Sequence, residues 1–321
     1  MSRHRLVLAA LVVLGAAACS SPSNDAQSQA LRALIPPTTS TTTPRTTATP
    51  PGCADPTQSF RPDQPLPVPG DMPAGTLRAI QDRGMLIVGV DQGTLDWGYR
   101  DPRNGNIDGL DVDLLRAIAR AIFGGDPDAH LQFKTLTTAQ RVSAVADGKV
   151  DMVASLLTAT CARWGQVDFS TTYYDAHQDV LVPTDSTVTE ASDLAGKTVC
   201  ATRGSTSLER MHALVPTAKI SPVDTRADCL VALQDGRVDA VTSDDTILAS
   251  FQAQEQVPHT RTLGHPLSVE PYAIAMQKHH EDLVRFVNAV LDRMRADGSL
   301  TTLYDTWLHQ NMPPPPAVYG R

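Results

Sequence analysis

The sequence predicts an α/β fold in two lobes of like architecture, and three observations predict it. From Leu86 onward, short apolar runs alternate with amphipathic helical stretches, the pattern of a parallel sheet with helical crossovers. The same order returns later: "TAQRVSAVADGKVDMVASLL" is mirrored by "RADCLVALQDGRVDAVTSDDTILASF". Each reads helix, then Asp-Gly-basic-Val-Asp, then strand. The packable region, from about Gly75 to Met312, exceeds the usual size of a single core. The unit occurs only twice, so this is not a solenoid.

The elements follow in order. "TLRAIQDRGMLIVGVD" reads as a short helix, a turn at Gly84 and a buried strand, Leu86 to Val90. "NGNIDGLDVDLLRAIARAIFGG" gives a Gly-marked turn and a helix from about Val112 to Phe123. Its Leu114, Leu115, Ile118, Ala119 and Ile122 recur at helical spacing. "LQFKTL" is a short strand, followed by a helix that stops at Gly148 and the apolar run Val150 to Leu157. In the second half "LAGKTVCATRG" is a strand, and Ser205 and Thr206 form the first turn of the helix in "STSLERMHALV". The closing helix places Leu283, Phe286, Val287, Val290, Leu291 and Met294 on one face and stops at Gly298. His279 and His280 lack Cys or Glu partners at metal-ligand spacing, so neither a metal nor a cofactor is expected.

The N-terminal end addresses the chain for export. Arg3, His4 and Arg5 precede an apolar stretch, Leu6 to Ala18, too short for a stable membrane span. "LGAAACSS" resembles a bacterial lipobox with Ala16 where that pattern has Leu. It implies a signal peptide, residues 1–18, and lipidation of Cys19; a plain secretory signal is the other reading. Residues 19–74 read as a lipid-anchored, disordered tether. Its core, "PPTTSTTTPRTTATPPG" (Pro36 to Gly52), buries too little apolar area to offset ordering entropy. In polyproline form it extends about 3.1 Å per residue. Residues 313–321 read as a Pro-rich tail. A net charge of −8 without a basic run argues against nucleic acid as a partner. Beyond Cys19, four cysteines allow three pairings. Cys200 ends a strand and Cys229 begins a helix in the same half, which favours Cys200–Cys229. Cys53–Cys161 then clips the tail to the domain.

Several stretches together resemble the polar-amino-acid substrate-binding proteins of ABC transporters, solute-binding protein family 3. They are "LIVGVDQGTLDWGYRDPRNGNIDGLDVDLLRAIA", "GKVDMVASLLTATCARWGQVDFSTTYYDAHQDVLV", "VCATRGSTS" and "GRVDAVTSDDTIL". The resemblance spans residues 76 to 311, and with the lipobox and Thr/Pro tail it is nearest the actinobacterial glutamine- and glutamate-binding lipoproteins. It implies a periplasmic-binding-protein type II fold with two strand crossovers as hinge, about Asp179 to Pro183 and about Val269 to Ala273. Lobe 1 is then 75–180 with 270–312, and lobe 2 is 181–269.

The resemblance also implies a cleft that holds a polar amino acid: glutamate, aspartate, asparagine or glutamine. Its two charges need partners when buried. Arg163, in the pattern Thr-x-Thr-x-x-Arg with Thr158 and Thr160, matches the family's carboxylate-binding Arg, whose planar fork suits that group. Cys161 and Ala162 depart from the residues usual there. Ser205 and Thr206 open a helix whose free N–H groups suit an anion, and they also suit a plain cap. Asp244 takes the ammonium; Asp245 points elsewhere by strand alternation and Asp239 is structural. Trp97 stacks on the ligand or packs in the core. Arg203, Arg100 and Lys134 are candidates for a second carboxylate, and Gln178 and His177 for an amide.

The expected protein is a monomer, anchored by lipid outside the cell membrane, serving an ABC permease or a membrane sensor. The alternative is an enzyme on the same scaffold, resembling an amino-acid dehydratase, which needs a general acid or base beyond Asp244.

Overall fold

The computed structural model describes residues 53–254 and 259–321. The signal region, Cys19 and the Pro36–Gly52 run lie outside the described residues. The first helix is α1 (Thr76–Arg83), and strand β1 (Leu86–Val90) follows. A small sheet comes next: β2 (Gly93–Thr94), β3 (Gly98–Arg100) and β4 (Ile107–Asp108). Then come α2 (Leu110–Phe123), β5 (Leu131–Thr135), α3 (Arg141–Ala146), β6 (Met152–Val153), α4 (Cys161–Trp164) and β7 (Val167–Phe169). The second lobe is built on β8 (Tyr174–Pro183), β9 (Thr198–Thr202), α5 (Thr206–Leu214), β10 (Lys219–Val223), α6 (Arg226–Gln234), β11 (Ala240–Asp244), α7 (Asp245–Ala253), β12 (Thr260–Thr262) and β13 (Ser268–Tyr272). The chain returns as β14 (Ala275–Gln277), α8 (Glu281–Ala296) and α9 (Ser299–Leu308).

Among the described residues, each lobe has one main sheet. The first has the order β5-β1-β6-β14-β7, with β5, β1 and β6 parallel and β14 antiparallel to its neighbours. The second has the order β10-β9-β11-β8-β12, with β13 also paired to β8. Here β10, β9 and β11 are parallel and β8 runs against β11. Helix α2 begins two residues earlier than its spacing predicts, at Leu110, with Gly109 as its N-cap. That glycine has φ 136°, and a Cβ there would lie 2.4 Å from the Trp97 carbonyl, so no side chain fits. All six residues expected on the inner face of α8 are buried. Each such side chain contributes about 1.5–3 kcal/mol through burial.

Both crossovers differ from their expected positions, because β8 and β13 alike belong to the second sheet. Strand β8 is zipped to β13 from Tyr174 to Gln178 and to β11 from Gln178 to Leu181. It therefore belongs to the second sheet throughout, and residues 179–183 lie inside that sheet. The chain crosses between Phe169 and Tyr174, and returns between Tyr272 and Ala275.

The ends also differ from expectation. Residues 53–74 are not a free tether, nor are 313–321 a free tail: both pack on the first lobe. Ser59 is buried, donates to the Phe169 carbonyl at 2.7 Å, and accepts from Asn288 Nδ2 at 2.8 Å. Trp164 Nε1 donates to the Pro56 carbonyl at 2.8 Å, and Met72 is fully buried. Tyr319 bridges to Ser59, and the Arg321 guanidinium lies 3.9 Å from the centre of the Trp164 ring. Proline-rich composition signals poor helix and strand formation. It does not prevent an extended segment from offering carbonyls to partners on a finished surface.

Both disulfides are present as Cys53–Cys161 and Cys200–Cys229. The first joins the N-terminal strap to α4, beside Arg163. The second ties β9 to α6 within the second lobe. No helix among the described residues is long and apolar enough to cross a membrane.

Candidate functional site

The carboxyl ends of the parallel strands in the two sheets face each other, where open α/β sheets place their ligands. A small cavity lies there. The first lobe lines it with Thr138, Arg141, Leu156 and Thr158; the second supplies Thr202, Ser205, Thr206, Ser207, Arg226, Ser243, Asp244 and Ile247. The lobes approach closely at this seam. Gly204 has φ 74°, and a Cβ on it would stand 2.8 Å from the Ala139 Cα. Its bare backbone is what allows the contact.

Of the residues expected in the site, Thr158, Ser205, Thr206 and Asp244 line this cavity. Arg163 sits at its edge. Its Nη1 donates to the Thr158 carbonyl at 2.7 Å, and its Nη2 to the Gly204 carbonyl of the other lobe at 3.0 Å. Thr160 caps α4, its hydroxyl accepting the Arg163 N–H at 3.2 Å. That cap aims Arg163 back along the turn. Ser205 caps α5 by accepting the Leu208 N–H at 3.1 Å, so it is both a cap and a lining residue. The Thr206 hydroxyl donates to Glu270 at 2.7 Å.

Asp244 ends β11. It accepts from the Tyr272 hydroxyl at 2.6 Å and the Ser207 hydroxyl at 3.2 Å. Burial pushes its carboxyl up to about 6, and the nearby Glu270 charge adds to the rise. Asp111 is likewise pushed up to about 6 by burial, although Tyr173 and the Leu156 N–H donate to it. Leu156 has φ 48°, an uncommon conformation for a buried leucine. Asp111 holds its N–H at 2.9 Å and Arg141 holds its carbonyl at 2.9 Å. Such a clamped residue costs about 1–3 kcal/mol, and sites of this kind cluster at ligand clefts.

Six expected contacts lie elsewhere. Trp97 is 2% exposed and packs edge-on against Tyr174 and Tyr272, with ring centres 4.9 and 5.5 Å away. It belongs to the core beneath the site, because the turn at Asp96 (φ 68°) tucks the following side chain inward. Gln178 is buried inside the second lobe, donating to the Ser207 carbonyl and the Thr242 hydroxyl. Arg203 is exposed and paired with Asp224 at 2.9 Å. Lys134 donates to the Lys149 carbonyl at the surface. Arg100 binds Gln92 and the Gly105 carbonyl, and His177 lies 3.5 Å from Asp245. Asp239 accepts the Thr198 N–H at 2.7 Å, a bond that pins β9.

Two site residues were not foreseen: Arg141 and Arg226, each the first residue of its helix. The mirrored segments carried a signal for them, since both place an Arg at the start of the repeated helix, soon after a threonine. Among the described residues, no cluster of His, Cys, Asp and Glu is placed to hold a metal.

Comparison with known proteins places this geometry in a class. The model of the bacterial extracellular solute-binding proteins, family 3, matches residues 86–310, and the chain belongs to that family. The fold is the type II periplasmic-binding-protein fold. The ABC transporter glutamine-binding protein GlnH of Bacillus subtilis is 32% identical over 237 residues, 74% of this chain and 85% of that protein. The glutamate-binding protein GluB of Corynebacterium glutamicum is 32% identical over 237 residues, 71% of this chain and 80% of the relative. Among solved structures, the ancestral amino acid-binding protein AncCDT-1, a precursor of cyclohexadienyl dehydratase, is 30% identical with a TM-score of 0.66. That match covers 73% of this chain and 99% of the other.

Proposed function

We propose that this protein binds a free polar amino acid (glutamate, aspartate, glutamine or asparagine) between its lobes and hands it to a membrane partner. The observation that carries the reading is the pairing, at one interlobe cavity, of a buried carboxylate with a guanidinium-and-hydroxyl rim. Asp244 takes the α-ammonium. Arg163, Thr158, Ser205 and Thr206 take the α-carboxylate. The lining comes from both lobes, so a ligand enters only when they part, and closure then follows from its contacts with each. The hinge is the pair of crossovers at 170–173 and 273–274. The names of the glutamine- and glutamate-binding relatives support the ligand class.

The partner is an ABC permease or a membrane sensor, and the protein acts as a monomer held outside the membrane by lipid on Cys19. Among the described residues that line the cavity, Asp244 is the one carboxyl group, and the ammonium takes it up, which disfavours the dehydratase-like alternative. The test is calorimetry on soluble protein, lacking signal and anchor cysteine, refolded with its disulfides to remove any carried ligand. Titration with the twenty amino acids is expected to give tight binding confined to Asp, Glu, Asn and Gln. Binding of none of them overturns the proposal.

A further inference from the structure

Arg163 rides on α4, a single turn of four residues, Cys161–Trp164. A turn this short has no stability of its own, since nucleating it costs more than its few hydrogen bonds return. Within it the Trp164 N–H donates to the Thr160 carbonyl at 2.9 Å, and the Thr160 hydroxyl accepts the Arg163 N–H at 3.2 Å. What holds the turn in place comes from outside. Much of it comes from the two segments packed on the first lobe, 53–74 and 313–321. The family match covers residues 86–310, so both segments lie beyond it.

Cys161, the first residue of α4, is bonded to Cys53. Trp164, its last, donates through Nε1 to the Pro56 carbonyl at 2.8 Å, and its ring meets Phe60 edge-on with centres 6.4 Å apart. Arg321 joins the two attachments. Its guanidinium lies 3.9 Å from the centre of the Trp164 ring, its Nη2 lies 3.2 Å from the Cys53 sulfur, and its Nε donates to the Gln58 carbonyl at 2.9 Å. A cation over an indole face is attracted by the ring. The lobe itself adds Phe169, edge-on to Trp164 at 5.4 Å, and Lys278, whose Nζ lies 5.4 Å from the ring centre. Both ends of the turn are therefore pinned to the strap, and Arg163 lies between the pinned residues. From there it reaches the Thr158 carbonyl and, across the seam, the Gly204 carbonyl. A guanidinium that meets a carboxylate with both prongs needs its backbone fixed as well as its side chain. A loose turn would have to lose that freedom when the ligand binds, at a cost in affinity.

We propose that the strap, clipped by the Cys53–Cys161 disulfide and backed by Arg321, is a positioning device for Arg163: it orders the turn in advance, so that the ligand's α-carboxylate meets a fixed fork. The inference rests on the amino-acid reading above, with Arg163 as the carboxylate partner, and adds to it a role in binding for segments outside the matched region. Cys53, Cys161 and Arg321 are positioning residues, which act on the ligand through Arg163.

The test is calorimetry with whichever of glutamate, aspartate, glutamine and asparagine the parent binds most tightly. Two variants, Cys53→Ser with Cys161→Ser, and Arg321→Ala, are each made in the parent and in Arg163→Lys, with thermal unfolding as a check of folding. The paired serine variant is expected to bind about tenfold more weakly than the parent, and Arg321→Ala about threefold. In the Arg163→Lys background, where the planar fork is already gone, both losses should shrink to less than about twofold. Arg321→Ala keeps the disulfide and decides the matter if the serine variant does not fold. A clip that is only structural would lower the unfolding temperature and leave affinity unchanged, and that result overturns the inference. Losses of equal size in the two backgrounds also overturn it, since the strap would then act by a route other than Arg163. Arg163→Lys binding as tightly as the parent removes Arg163 from the carboxylate, and the inference with it, while leaving the amino-acid reading intact. A parent that binds none of the four sinks both.

Discussion

Replacing Arg163 with alanine should weaken amino-acid binding by about 2–5 kcal/mol, because a buried α-carboxylate then loses its charged partner. The guanidinium is well placed for this. Thr160 fixes the turn that carries it, and its two Nη atoms already span the seam between the Thr158 and Gly204 carbonyls. Arg163→Lys should recover only part of the loss, since an ammonium cannot form the two-pronged contact. Half-buried and outside the central core clusters, Arg163 can change without unfolding the lobe. Calorimetry on the folded variants decides the matter, and affinity equal to the parent would remove Arg163 from the site.

The second large effect is expected at Asp244. With its carboxyl at about 6 in the unliganded protein, it holds a proton part of the time near pH 6. A bound ammonium favours the ionised form and lowers that value. The sign follows: the free protein takes up the proton as pH falls, the complex does not, so affinity drops below about pH 6 by up to tenfold per unit. Near pH 6, binding should release a proton, seen as a binding enthalpy that varies with the buffer. Asp244→Asn should abolish that release and cost about 3–5 kcal/mol of affinity. Asp111 rises for the same reason but does not line the cavity. It enters stability rather than binding: its raised value favours the folded state at low pH, and that benefit fades as pH rises through about 6. Buffer-independent enthalpy in the parent at pH 6 would contradict the assignment of Asp244.

Much of the scaffold was legible because its signals are local. The apolar stripe of α8, the mirrored Asp-Gly-basic-Val-Asp segments and the strand-to-helix turns at Thr158 and Ser205 all depend on spacing within a few residues. Asp244 was placed from the family resemblance, and it does end β11 and line the cavity. What was not legible depends on residues far apart in the chain. Trp97 is a core residue because Tyr174 and Tyr272 supply the faces its ring packs against. Gln178 turns inward because Thr242 and Ser207 lie across the sheet from it. Arg141 and Arg226 begin polar-looking helix turns, where an Arg usually reads as solvated, yet both are buried and line the cavity. The docked strap of residues 53–74 escaped for the same reason, since its partners, Phe169, Asn288 and Tyr319, are more than a hundred residues away.

The most direct test of the central claim is a crystal structure of the refolded protein with L-glutamate. The account predicts the ligand between the lobes, its ammonium against Asp244 and its α-carboxylate against Arg163, Thr158 and the start of α5. A ligand seated in the cleft with its ammonium on any other acid, or its α-carboxylate away from Arg163, would contradict it.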